Sequence, residues 1–460
     1  MKHGGKMNNK KTDFYGKFEF KGKMYPFYYE DSFVTIVQQP WEYNNDFEKV
    51  AYIEKIEGLT NSNKVIVFLK CEFQGGSYKE MYSNIIFSTK GFVLFDETDC
   101  PFNCIEFESD AINTFYPPIQ LVDRKLLLDE RAYKVKNSVD TTESFDTIVN
   151  EENIKMELSI PWKFSLRPED KAIGEKYSVW RMKFETLKCS EDIAKYYLYL
   201  LDFLIFVNFR KNVSIKYFTL YKMKDTTYNK VGTGKFFSYQ TGYDSKVDNS
   251  IIFGDLTHDE ISRLFPCIAM QRDQNGYNDS YIPENTKKYR SFDWIDWLNT
   301  ALSFEGEYCK RYKDLKSQSD SNFTHAKEYL LTQIDDKIKE SGVSINNKKN
   351  SAWSKFKHLI VHTDTRLEEK FQFSLNHFLD EISEIRSQFL KKNKISEDVD
   401  LAIEYADYRN HLAHGDIVDM SDSNVMNFIL MRVFIYCFIL ERADISKDAR
   451  KKIVKKLFRI

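Results

Sequence analysis

Two periods of hydrophobic and polar positions run along this chain, and the change falls near residue 290. Before it, apolar residues alternate with polar ones. Met156, Leu158, Ile160, Trp162, Phe164 and Leu166 are interleaved with Glu157, Ser159, Lys163 and Ser165; Trp180, Met182 and Phe184 with Arg181, Lys183 and Glu185. A period of two predicts strands with one buried and one wet face. Val213, Ile215 and Tyr217 follow the same rule, and the unbroken apolar run Val65–Leu69 predicts a strand buried on both faces. Asn61–Asn63, Gly75-Gly76 and Lys90-Gly91 predict turns. Two helices interrupt the strands. Ser190 is the expected N-cap of one over Glu191–Phe209, and Thr257 with Glu260 forms a capping box for a short one ending near Phe265. The polar stretch 136–153 reads as a linker between two β subdomains.

From Ser291 proline disappears and apolar residues recur at three and four, as in Ile295, Leu298, Ala301 and Leu302. Helices are expected near 292–316, 323–340, 353–391 with a break at His362–Thr365, 397–414, 422–442 and 446–458, the fourth capped by Ser396. The expected fold is multidomain α+β. A flexible N-terminus (1–12) precedes an aromatic-rich, β-sandwich-like module (13–285), and an all-α bundle (290–460) follows.

Composition agrees with a folded chain of two or three domains, with 460 residues and 15% aromatics. The 67 basic and 69 acidic residues give a net charge of −2, so any polyanion must be held by a local patch. Seven cysteines are an odd number, and Cys100 and Cys104 have no second pair at zinc-site spacing; free thiols in a reducing cytoplasm are expected. The N-terminus lacks the apolar core of a signal peptide. The runs Tyr196–Phe209 and Phe428–Leu440 are short and carry Asp202 and Arg432, which favours buried core helices over membrane spans.

Candidate chemistry concentrates in Tyr408-Arg409-Asn410-His411-Leu412-Ala413-His414-Gly415-Asp416, at the end of the fourth expected helix. Asn410 and His414 are four apart and share a face, and the long stem of Arg409 can reach the same place. RNA cleavage by the ribose 2′-hydroxyl needs a base, an acid and positive charge on the phosphoryl oxygens. Histidine transfers protons near neutral pH, and the arginine fork matches phosphate. Asparagine can hold a phosphate oxygen or the imidazole, and no metal or other cofactor is required. From residue chemistry alone, a solvated helix end with cations suited to its dipole is an equal reading.

Arg-Asn-His-Leu-Ala-His resembles the Arg-x4–6-His signature of HEPN domains. Phe304-Glu305-Gly306-Glu307-Tyr308, the very apolar last long helix and the basic end resemble the ApeA-like HEPN subgroup. The β-rich region resembles the N-terminal part of ApeA proteins of bacterial anti-phage defence. The resemblance implies an endoribonuclease of abortive infection, active as a homodimer or higher even oligomer whose paired motifs form one metal-independent site. It also implies catalytic roles for Arg409, Asn410 and His414, a sensing or restraining β module, and a phage-derived trigger. His411 would be structural or lie at the dimer seam, where the small Ala413 allows close approach. Glu305 reads either as a support for Arg409 or as a plain surface glutamate.

Other features are weaker. His358 and His362 have the spacing of a zinc pair without a metalloprotease glutamate and suit packing. Lys451, Lys452, Lys455 and Lys456 lie on an amphipathic tail, as a solvated face or as a grip on the RNA backbone. Gly232-Thr233-Gly234-Lys235 lacks the spacing of a phosphate loop. The competing functional class is a non-catalytic bundle used for dimerisation or RNA binding, with the β module as the working part.

Overall fold

The computed structural model describes residues 14–20, 22–38, 51–79, 82–96, 98, 100–117, 142–161, 177–215, 217–237, 249–273, 279–289, 291–312, 321–340, 357, 367–396, 398–416 and 418–458. Contacts divide the chain into two compact units. One is Met1–Tyr277 with Pro283–Thr286, the other Asn278–Ile282 with Lys287–Ile460.

The first unit is built on one antiparallel sheet. Its strands are β1 (Phe14–Phe20), β2 (Lys23–Glu30), β3 (Phe33–Gln38), β4 (Tyr52–Thr60), β5 (Val65–Lys79), β6 (Tyr82–Phe95), β7 (Phe102–Glu108), β8 (Glu143–Val149), β9 (Glu152–Ser159), β10 (Val179–Lys188), β11 (Tyr217–Lys224) and β12 (Thr227–Phe236). They lie in the order β3-β2-β1-β4-β5-β6-β12-β11-β7-β10-β9-β8. The expected sandwich-like module is instead a six-stranded barrel continued by an open sheet. Strand β6 makes both. Along one edge its residues 83–88 pair with β3 and close the barrel, and its residues 91–95 pair with β12 and start the open sheet. Alternation alone cannot distinguish a closed sheet from two stacked ones, since both bury one face of each strand.

Phe18, Phe27, Tyr29, Ile36, Phe68 and Phe87 belong to the core cluster of the barrel strands. Val65–Leu69 is buried on both faces as expected, and Asn61–Asn63 forms the β4–β5 turn. Two expected turns are not turns. Gly75-Gly76 lies inside β5, at a register shift where Gly75 has a φ of 145° that side chains disfavour. Lys90-Gly91 lies inside β6, where a side chain at 91 would stand 2.6 Å from the Lys235 carbonyl of β12. Gly234 likewise has Phe218 against it, at 2.1 Å from a would-be Cβ, so Gly232–Lys235 is ordinary strand with ring packing.

The expected linker also needs correction. Its described part is the β8–β9 hairpin, closed by Asn150-Glu151 at positive φ, with Phe145, Thr147 and Val149 facing inward. Strand β9 ends at Ser159, Ile160 is buried just beyond it outside the strand, and the rest of the expected extension, 162–166, lies outside the described residues. Val213 and Ile215 are buried in irregular backbone, and β11 begins at Tyr217.

Among the described residues of this unit lie three helices, α1 (Asp110–Phe115), α2 (Ile193–Asn208) and α3 (His258–Asp273). Trp180 of β10 stacks on Phe115 at 5.7 Å and meets Phe203 of α2 edge-on at 5.4 Å. Ser190 does not cap α2 but starts a single 3-10 turn ahead of it. The Thr257–Glu260 box forms in both directions at 2.9 and 3.2 Å. Helix α3 continues past Phe265 through Pro266 to Asp273, and Arg272 near its end forks onto Asp202, which is fully buried in α2. The polar face of the β9–β10 alternation is not simply wet: Arg181 reaches Glu106 at 2.6 Å and Glu157 at 2.7 Å across neighbouring strands.

The second unit is helical: α4 (Trp294–Tyr312), α5 (Ser321–Glu340), α6 (Leu367–His377), α7 (Leu379–Asn393), α8 (Leu401–Ala413), α9 (Asp422–Arg442) and α10 (Lys447–Leu457). Its centre is α9, capped by Ser421 and buried nearly all round from Met426 to Leu440. Among the described residues α9 alone is long and apolar enough to cross a membrane, and 83% of its most apolar stretch is buried. Rings of α4 and α6 pack on it, as where Phe304 lies 5.9 Å and Phe371 5.3 Å from Phe434.

Candidate functional site

The site is the C-terminal end of α8, and its position is set from the other end of the helix. Asp400, not the expected Ser396, is the N-cap, accepting from the backbone N–H of Ala402 and Ile403. Ser396 instead accepts from Asp398 in the preceding turn. The fully buried Asn427 of α9 donates to the Leu401 carbonyl at 3.0 Å. One turn on, the Tyr405 ring lies flat on Phe371 at 4.7 Å and edge-on to Phe304 at 5.7 Å. These contacts fix the rotation of α8 about its axis and so decide which way the next turn faces.

The helix ends as its sequence requires. Gly415 has a φ of +85°. Its N–H donates to the Leu412 carbonyl at 3.1 Å, and the N–H of Asp416 donates to the His411 carbonyl at 2.9 Å. That is the paired-bond closure that a glycine just past a helix favours. Leu412 is buried under the turn, while Asn410, His411, Ala413 and His414 are exposed.

Arg409 is the half-buried member of the group. Its Nε donates to Glu305 Oε1 of α4 at 3.1 Å, with the guanidine side chain 23% exposed and the carboxylate 17% exposed. The Tyr405 hydroxyl donates to the same oxygen at 3.3 Å. Burial raises the Tyr405 hydroxyl well above its ordinary pKa, and the adjacent Glu305 adds to this, so it stays a donor. The carboxylate thus takes one N–H of the guanidinium fork and leaves the terminal nitrogens for another partner. Sequence reading left Glu305 open between support and bystander; here it touches Arg409. Tyr405 was missed, although its place one turn before Arg409 was visible.

The electrostatic setting is mixed. His411 Nδ1 stands 3.7 Å from Asp416, and Glu404, Asp407 and Asp419 are also exposed on α8 or just beyond it. The basic tail is engaged elsewhere. On α10, Lys447 pairs with Asp380, Arg450 with Glu381 at 3.0 Å and Lys455 with Glu384 at 2.9 Å, all three carboxylates on α7. Lys451 is exposed, and Lys452 and Lys456 have contacts of their own. His358 and His362 lie outside the described residues. Among the described residues no three His, Cys, Asp or Glu side chains converge to hold a metal ion.

A second polar cluster was not foreseen. Tyr312 of α4 donates to Glu441 of α9, and His377 of α6 lies 2.9 Å from both. Burial pushes the Glu441 carboxyl up, but the hydrogen bonds from His377 and Tyr312, with the charges of His377 and Arg311, bring it below the usual range. Its residues are 65 and 64 positions apart in sequence, a separation that no local pattern reports.

No family model, curated protein or solved structure matches the chain. Its class rests on the fold: an α+β protein with a six-stranded barrel running into an open sheet, followed by a helical unit.

Proposed function

We propose that the helical unit is a HEPN-type endoribonuclease domain that cuts RNA without a metal ion, in bacterial anti-phage defence by abortive infection. The observation that carries this reading is the end of α8. Asn410 and His414 reach solvent one turn apart, beside an Arg409 held in place by Glu305.

In this reading Arg409 and Asn410 grip the non-bridging oxygens of one phosphodiester. An imidazole takes the proton from the 2′-hydroxyl as its oxygen bonds to phosphorus. The bond from phosphorus to the 5′ oxygen breaks, and a second acid protonates that oxygen. The products are a 2′,3′-cyclic phosphate and a 5′-hydroxyl. One His414 cannot be both base and acid in a single step, which favours two copies meeting at this helix end. Helix α4 offers a surface for that meeting. Ile295 and Leu302 are 49% and 48% exposed two turns apart, and Gly306, one turn further, faces open space. The resemblance assigns the first unit a sensing or restraining role toward a phage-derived trigger.

The exposed carboxylates around α8 favour a second reading, a non-catalytic dimerisation or binding scaffold, because they repel a polyanion. The variants His414→Ala and Arg409→Ala separate the two. The nuclease reading expects RNA cutting and cell toxicity to fall about 10²–10⁴-fold with fold and self-association intact, in the presence of chelator and with DNA uncut. Unchanged cutting or toxicity in both variants would make the helical unit a scaffold and place the working part elsewhere in the chain.

A further inference from the structure

The outer face of the barrel breaks the rule that its strands otherwise keep. The interior positions of β1 and β2 are apolar, but so are outward ones. Tyr15, Met24 and Leu59 are 56%, 57% and 47% exposed. Strand register places them together. Tyr15 lies opposite Tyr28, while Lys17 lies between Pro26 on β2 and Leu59 on β4. These side chains line a groove of about 510 Å³, and among the described residues that line it Lys17 is the only charged one. Among the described residues no ion pair or hydrogen bond engages the Lys17 side chain.

We propose that this groove docks a short extended peptide of a partner protein, with apolar side chains along the tyrosines and Pro26 and one carboxylate against Lys17. Charge complementarity selects the occupant. A lone ammonium in an apolar wall suits a single negative charge and is too little for a nucleic-acid backbone, whose grip grows with the number of phosphates neutralised. Shape narrows it further. A small ligand is held by burying most of its surface, and this groove is open, with half-exposed walls. It crosses β3, β2, β1 and β4, roughly 14 Å at the usual strand spacing. Four or five extended residues at about 3.3 Å each span that distance. Exposed tyrosine and proline walls are also the surface on which extended peptides pack at low entropic cost.

The experiment is selection of a bead-displayed random heptapeptide library by the fluorescently labelled full chain, compared with its Lys17→Glu and Tyr28→Ala variants. Matched thermal melts establish that each variant is folded. A labelled oligouridine is the nucleic-acid control. Wild type should enrich peptides with one acidic residue between apolar ones. Lys17→Glu should reverse the charge preference from acidic to basic, and Tyr28→Ala should lower enrichment at least tenfold. No enrichment by wild type, the same enriched sequences with Lys17→Glu, or tighter oligouridine binding that Lys17→Glu abolishes would each overturn the proposal. The readout does not involve RNA cutting, so it stands or falls apart from the nuclease reading.

Discussion

Arg409 shows how much one side chain's role depends on its neighbours. Its charge was legible in the sequence, and so was its spacing from His414. Its fixed orientation was not, because Glu305 lies on another helix about a hundred positions away. The ion pair is partly exposed, so its value for stability is small, about 1 kcal/mol at most. Its value for a reaction is larger, because a guanidinium displaced by about 1 Å can cost on the order of 100-fold in rate. Glu305→Gln should therefore lower kcat for RNA cutting about 10–100-fold, with the melting temperature nearly unchanged and a smaller effect on KM. Steady-state kinetics on one defined RNA, with a parallel melt, checks this. An unchanged kcat would make Glu305 a bystander.

Elements were legible in kind and often in extent, and the misses have physical causes. The expected helix at 422–442 and the observed α9 coincide because a mostly apolar run begins just after a serine cap, Ser421. The caps of α2 and α8 were misplaced because several Ser and Asp residues cluster there, and only tertiary contacts choose among them. Gly75 and Gly91 read as turns because glycine permits both a turn and a bulge or close approach inside a strand.

The same scale holds the pH-dependent contact. Glu441 ties the ends of α4, α6 and α9, and its carboxyl is depressed by His377 and Tyr312 against the opposing effect of burial. A depressed carboxyl contributes stability that is present above its unfolded value, about pH 4.3, and lost as pH falls through its folded value. Glu441→Gln should therefore melt lower than wild type at pH 7, by about 1–3 kcal/mol of stability. The gap should close as pH drops below about 4. Melting curves across that range check it, and a gap that stays constant would contradict the assignment.

At the scale of the molecule, β-rich then helical was readable from the change of period near residue 290, but closure of the barrel was not. Closure depends on β6 pairing with β3 along half of one edge, a contact between strands about 50 residues apart. Assembly is the other property of this scale. If two copies meet across α4 beside the motif, Leu302→Glu should reduce self-association and RNA cutting together while the monomer keeps its helical content. Sedimentation alongside an activity assay reads both. Loss of association with full activity would place the working site within one copy.

The reaction itself gives the most direct test. The full chain is incubated with an end-labelled RNA and with the same RNA carrying a single 2′-deoxy sugar at the major cut. With chelator present, the ribose substrate should yield a 2′,3′-cyclic phosphate and a 5′-hydroxyl, the deoxy substrate should stay whole at that position, and His414→Ala should cut neither. Cleavage at the deoxy position, or equal cutting by His414→Ala, would contradict the account.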